Sequence, residues 1–380
     1  MEKRNENIVF DILKAIAILG MPVVHLMEEG VRNELLTEGA MAMRGPILIL
    51  PVIGPSIFML IFGIGMGGMA GWKPMRSNGI RLLILGILLN VCRDVIPGLV
   101  GFCHHGEPEW LKYHVIYWCC SDIYVFAGLF LILLSILKKL KLSDFKILVT
   151  SIVMLTVNLL LAGRFSTGNE WIDLPLGNFV YVNEDSVFPL LGWFIIPFIG
   201  YLFGGYYKKC QDRSLLMKRV TVISAVLYGS ICVSLYTLGI DPISVQASQE
   251  TGLPAEILNV ILLTSLAGII TGLLYMLYEH IRPGIISRGL VKLSGSIMAF
   301  YVLHWLMMQW FFLIFEIRDM SYCIDMVQFW IICAGLTIIP LVISLLWGLP
   351  ISKFLLRIAS PDRYFKKRKV KTVKGENKNA

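Results

Sequence analysis

The sequence has no CxxC pair, no serine–histidine–acid order and no glycine-rich phosphate loop. Its eight cysteines are scattered, so neither a zinc ribbon nor a disulfide framework is implied. Cys103, Cys119, Cys120 and Cys323 fall near one membrane face, where a disulfide is allowed. Free cysteines packing as small apolar residues is the favoured reading. No internal repeat is visible, which weighs against an inverted-repeat transporter. No stretch is left over for a soluble domain, which excludes a nucleic-acid-binding module. What is present is apolar surface: 380 residues, 56% of them hydrophobic, with a mean hydropathy of +0.72. The apolar residues come in runs of about 20, long enough to span a bilayer. Lipid offers no partners to a backbone, so only helices or closed barrels qualify, and these runs lack the alternation of barrel strands.

The expectation is an all-α polytopic membrane protein with about ten transmembrane helices, at 8–27, 47–72, 79–101, 115–137, 145–163, 187–207, 218–239, 256–279, 291–315 and 326–348. Residues 1–350 form the transmembrane domain and 351–380 a basic cytoplasmic tail. Most of the 34 Lys and Arg then fall on the side of the N-terminus, whereas the opposite side holds only Arg32, Arg44, Lys112, Arg164 and Arg318. By the positive-inside rule both termini are cytoplasmic, as an even number of spans requires. The net charge of +8 reports topology and contact with anionic lipid. MEKR before a short apolar core resembles a signal peptide, but the cleavage-like Ala40–Ala42 lies beyond Glu28, Glu29, Glu34 and Glu38. The first span is expected to stay uncleaved.

Ionisable residues inside lipid are costly, so each marks a functional hypothesis. Phe10 to Met27, FDILKAIAILGMPVVHLM, puts Asp11 and Lys14 on one helix face. His25 returns to that stripe three turns on, about 16 Å away. Pro22 predicts a kink or local loosening beside it. His25 is either a base or a packed residue bonded to a neighbouring helix; Asp11 and Lys14 fit local pairing near the membrane boundary. The second span carries GIGMGG, in which Gly63, Gly65 and Gly68 spell GxGxxG without a βαβ context. Close helix approach explains these glycines better, as it does Gly200/Gly204 and Gly268/Gly272, though missing side chains also clear room for a ligand's arm. Arg76 and Arg81 flank the cytoplasmic mouth, as topology signals or as guanidinium forks for phosphates. Arg93 and Asp94 are expected to pair, or to meet an external substrate. Asp122 lacks a local partner and is expected to be protonated or paired. Metal is the minority reading for Cys103, His104, His105 and His114, whose spacing matches no standard site. His304 is a packed histidine or a donor lining a cavity, and the loop from Arg164 to Ser186 is a lid or an ordinary solvated connection.

Several segments together resemble the membrane acyltransferase superfamily, which includes the heparan-alpha-glucosaminide N-acetyltransferases and the bacterial O-acyltransferases of polysaccharides. FDILKAIAILGMPVVHL is similar to its opening helix, PSIFMLIFGIGM to its second, IRLLILGILLN to its third and SDIYVFAGLFLILLSILKKL to its fourth. FPLLGWFIIPFIGYLFGGYYKK and LSGSIMAFYVLHWL resemble its later blocks. Lys14 stands where many relatives have Arg, and relatives of the glucosaminide branch carry other polar residues where His25 stands. The resemblance implies an enzyme of a bacterial-type plasma membrane that moves an acyl group, acetyl above all, from cytosolic acyl-CoA to a sugar or glycan at the external face. His25 would be the general base. Lys14, Gly63, Gly65, Arg76 and Arg81 would meet the donor, with its phosphates at the arginines and its pantetheine beside the glycines. Asp11, Arg93, Asp94, Asp122 and His304 would meet the acceptor. Acyl-CoA is a co-substrate, no metal or tightly bound cofactor is implied, and the partners are the bilayer, donor and acceptor, with a homodimer allowed. The rival is a saccharide or lipid transporter or flippase in which the same stripe is a permeation path and His25 a proton relay.

Overall fold

The computed structural model describes residues 8–360 apart from 33–34, 43, 70, 184, 241, 243–252, 281–283 and 318–323. The basic tail beyond residue 360 and Cys323 lie outside the described residues. Every apolar run of the sequence is helical. In chain order, α1 spans Ile8–Arg32, α2 Arg44–Met66 and α3 Trp72–Asn90. A π-helical segment, Val91–Val95, carries α3 into α4 (Ile96–His105). Then follow α5 (Pro108–Val115), a 3-10 turn Ile116–Cys119, α6 (Ile123–Lys139), α7 (Asp144–Leu161) and the short α8 (Glu170–Gly177). Apart from two four-residue turns of helix, Glu38–Met41 and Leu190–Trp193, the remainder are α9 (Ile195–Lys209), α10 (Arg213–Thr237), α11 (Leu253–His280), α12 (Ile285–Gly295), α13 (Ile297–Ile317) and α14 (Met326–Ile358). The last of these passes the expected boundary at 350.

Among the described residues, nine helical stretches are long and apolar enough to cross a membrane, and α2 adds a shorter apolar stretch, Gly54–Met66. The only β pairing described is a single bridge, Leu36 to Ile324. The protein is an all-α polytopic membrane protein. Helix α1 is its axis: it packs on α2, α11, α12, α13 and α14, and Ile12, Ala15, Ile18, Leu26 and Met27 are fully buried there. It runs unbroken past Pro22.

Lipid tails are as apolar as leucine, so close packing rather than water exclusion joins helices inside a membrane. The glycines do this work. A Cβ on Gly63 would strike the carbonyl of Pro197, and one on Gly200 the carbonyl of Leu60. Gly67 and Gly204 extend the same seam, so α2 and α9 touch backbone to backbone. Gly79 and Gly128 make a second seam between α3 and α6, with a Gly79 Cβ only 2.9 Å from the Gly128 carbonyl. Gly268 and Gly272 meet Ser224 and Thr221 where α11 crosses α10. Gly65, by contrast, has nothing within 4 Å of its Cβ position.

Replacing Gly63 by Ala is expected to destabilise the detergent-solubilised protein by about 1–3 kcal/mol, the usual cost of overpacking. Gly65→Ala should leave stability equal or slightly raised, since alanine is the better helix former. Thermal unfolding of the two variants checks this; equal losses would mean the α2–α9 seam is not the constraint.

Candidate functional site

The α3–α6 seam sets what lies beyond it. Pro97 has no N–H to offer the carbonyl of Arg93 four residues earlier, and the turn there relaxes into the π segment. That turn aims Arg93 into the bundle. Its Nε donates to Asp94 at 3.0 Å, Nη1 to Asp122 at 3.2 Å and Nη2 to the sulfur of Cys120 at 3.1 Å. Asp122 caps α6, where its Oδ1 accepts from the Tyr124 amide at 2.8 Å. Its Oδ2 takes Arg93 together with the Tyr301 hydroxyl, the latter at 2.6 Å. Both oxygens of Asp122 are therefore engaged. Arg93, Asp94 and Asp122 form one buried ion cluster rather than separate groups facing outward. Asn90 holds the turn before it by donating to the carbonyls of Trp118 and Cys120. Cys103, Cys119 and Cys120 are free thiols.

Beside this cluster stand three rings. The centroid of Trp305 lies 4.2 Å from that of His25 and 5.7 Å from that of His304, and the two imidazoles stack at 5.8 Å. Arg93 Cζ sits 4.3 Å from the centre of the Trp305 ring. The π segment thus reaches His25 through Trp305. His25 Nδ1 is 3.1 Å from Glu28 Oε2, one helical turn on. Its Nε2 has no hydrogen-bond partner among the described residues. The His25 side chain is 21% exposed and that of Glu28 45%, so the pair is reachable rather than sealed in the core. His304 is buried, with Nδ1 3.2 Å from the Phe300 carbonyl. Glu28 and Trp305 were not picked out from sequence. The signal for Glu28 was its i,i+3 spacing from His25; nothing in the sequence singled out Trp305 among nine tryptophans.

Other expected residues lie at the opposite, basic end. Asp11 accepts from Lys14 at 3.1 Å and from the Ser294 hydroxyl at 2.7 Å, so it does not join the His25 cluster. Three cations surround Trp72: Arg76 Cζ at 5.1 Å, Lys139 Nζ at 5.4 Å and Lys73 Nζ at 5.7 Å from its centroid. None of the three has an acidic partner among the described residues, and all are exposed. Arg81 is half-buried about 1.4 turns further along α3. Gly63 is covered by α9, whereas Gly65 is uncovered.

The 164–186 connection is tied to the ion cluster's flank. Asn178 donates to the Cys119 carbonyl at 2.8 Å, and the Phe188 amide donates to Ser121 Oγ at 3.0 Å. Within the loop, Asp173 accepts from the Thr167 amide and hydroxyl and from the Ser166 hydroxyl, all within 2.9 Å at their shortest. These donors, led by the Thr167 amide, hold the Asp173 carboxyl below the usual carboxylate range. Burial lowers the pKa of His114 in α5. Among the described residues no three His, Cys, Asp or Glu side chains converge as metal ligands would.

The profile of a family described as an acyltransferase domain matches residues 7–347. Neither the curated proteins nor the solved structures give a match.

Two outcomes follow from this geometry. Asp122→Ala strands a buried guanidinium and is expected to cost about 3–5 kcal/mol, read as a lower unfolding temperature; an unchanged temperature would mean Arg93 finds other partners. Asp173, with its folded pKa depressed, contributes loop stability above the unfolded carboxyl value of about 4. That contribution is lost as pH falls through the lower folded value. The protection factor of the Thr167 amide, measured against the intrinsic rate at each pH, should therefore fall on acidification in the parent protein, while in Asp173→Asn it should be low already at neutral pH.

Proposed function

The chain belongs to the acyltransferase-domain family, and from that premise we propose that it moves an acetyl or related acyl group from acyl-CoA to a sugar or glycan. In this reading the protein sits in a bacterial-type plasma membrane with both termini cytoplasmic. The donor arrives at the basic end and the acceptor at the end that carries His25.

The observation that supports this best is the His25–Glu28 pair. A carboxylate can only accept, so Nδ1 carries the imidazole proton toward Glu28 and Nε2 presents its lone pair. That lone pair is placed to take a proton from an acceptor hydroxyl or amine. The deprotonated acceptor atom attacks the thioester carbonyl, the carbon–sulfur bond breaks, and the coenzyme thiolate leaves. The imidazolium then returns its proton to that sulfur. While charged, it lies against the Trp305 face, where an aromatic quadrupole stabilises a cation. Direct transfer closes the cycle without an acyl-enzyme.

The cations about Trp72 suit the donor's phosphates: Lys73, Arg76 and Lys139 have charge unspent on acidic neighbours, and Arg81 lies further in. Lys14, steadied by Asp11, shares the α1 stripe with His25 and lies on the donor's way. Uncovered Gly65 leaves room for the pantetheine arm. Acyl-CoA is a co-substrate in this scheme and no bound cofactor is called for.

Incubating the purified protein with labelled acetyl-CoA tests the reading. His25→Ala is expected to lower transfer at least about 100-fold without changing membrane abundance, and retained turnover would reassign the base. Glu28→Gln should lower the rate and move its pH profile. Arg76→Gln with Lys139→Gln should raise the KM for acetyl-CoA in a salt-sensitive way; an unaltered KM removes the Trp72 cluster from the donor site.

A further inference from the structure

Helix α8 turns its apolar side outward. With 3.6 residues per turn, Asp173, Leu174 and Gly177 share one side and are buried. That side is seated tightly: a Cβ on Gly177 would lie 2.6 Å from Ser186 Oγ. Trp171, Ile172, Pro175 and Leu176 share the other side. Trp171 and Ile172 are 46% and 50% exposed, and Phe179, just past the helix, 46%. A helix at a water-facing surface shows the reverse pattern, polar side out. A contiguous apolar side marks a surface of interaction.

The depth of this side is fixed by hydrogen bonds to the ends of membrane spans. The Tyr181 amide donates to Asn158 Oδ1 at 2.9 Å, in the last turn of α7. The Leu190 and Leu191 amides donate to the carbonyls of Asn178 and Phe179, both at 2.9 Å, where the span 190–209 begins. Asn178 also donates to the Cys119 carbonyl just ahead of α6, in the turn that leads to Asp122. The 18 residues of α7 rise about 27 Å, close to the ~30 Å of a hydrocarbon core. Its last turn therefore ends at the hydrocarbon boundary, and so do residues 178–181 bonded to it. Helix α8, which ends at Gly177, starts out from that boundary at the end of the bundle that carries His25. The outward stripe of α7, Val149, Ile152, Val153 and Leu160, runs up to the same level.

We propose that α8 lies in the headgroup layer of the leaflet at the His25 end, with Trp171, Ile172, Leu176 and Phe179 directed into lipid. The partner is thus a phospholipid surface, continuous with the one that covers α7. Tryptophan and phenylalanine beside aliphatic side chains on one side of a helix suit that layer. A saccharide chain is the rival occupant. It needs hydrogen-bonding groups beside the rings, and this side of α8 has none. The inference goes beyond the acyltransferase reading and stands independently of it.

The test uses the full chain with p-benzoylphenylalanine in place of Trp171 or of Phe179, an aromatic for an aromatic. The protein is reconstituted into vesicles of phosphatidylethanolamine and phosphatidylglycerol, with a soluble dextran oligosaccharide outside, and irradiated. Phospholipid adducts are expected at both positions, read by mass spectrometry of the peptide that carries them. In the same vesicles, Ile172→Asp is expected to lower amide-exchange protection of residues 170–177 about tenfold, and Ile172→Val to leave it unchanged. The crosslinking arm decides alone if the aspartate variant does not fold. Adducts that join two chains overturn the proposal and make α8 an interface between copies. Adducts with the dextran in place of lipid overturn it and make this side a glycan platform. Absence of lipid adducts at both positions overturns it as well, since α8 would then face water.

Discussion

A guanidinium inside a lipid-embedded bundle has no water to turn to, and the arrangement around Arg93 follows from that constraint. Three of its nitrogens end on Asp94, Asp122 and Cys120, and its face rests on Trp305. Each partner is itself fixed: Asp122 by the N-terminus of α6 and by Tyr301, the Cys120 backbone by Asn90. Removing the desolvation cost of one charge thus required ordering three helices and a loop around it. The same set of contacts holds Trp305 where His25 can lie against it. Burying an arginine and orienting an imidazole are, in this protein, one structural problem with one solution.

The fold was largely legible in the sequence because the bilayer leaves so few choices. Ten apolar runs read as ten helices; among the described residues nine stretches are long and apolar enough to cross and α2 adds a shorter one, with ends moved by as much as ten residues at α14 and the 291–315 run divided between α12 and α13. Most of the glycines were legible too: Gly63, Gly200, Gly204, Gly268 and Gly272 bring helices together, whereas Gly65 meets nothing within 4 Å. What escaped was the local departure from α-geometry. The 79–101 span read as one helix, and only the position of Pro97 relative to Arg93 carries the signal that the ladder slips there.

The site was legible by residue type and not by grouping. Rarity in lipid drew attention to His25, Arg93, Asp94, Asp122 and His304, and all five lie in one region. Their division of labour could not be read, because it depends on which helix faces which. Asp122 lacked a partner in its own span; the partner comes from the π segment after α3 and a second from α13. Asp11 was grouped with them on the strength of a shared helix stripe, yet a stripe three turns long joins two separate environments, and Asp11 belongs to the one containing Lys14 and Ser294. Glu28 was overlooked because an acid at a membrane boundary looks like ordinary solvated surface.

The contact between α2 and α9 has a mechanical side. Side chains in a core can exchange rotamers and so absorb small displacements, but two main chains already touching have no such play. Gly63, Gly67, Gly200 and Gly204 therefore weld these helices into a single rigid bar. Whatever breathing admits a bulky ligand must proceed along looser seams, where long side chains mediate the contact and leave compliance between the helices.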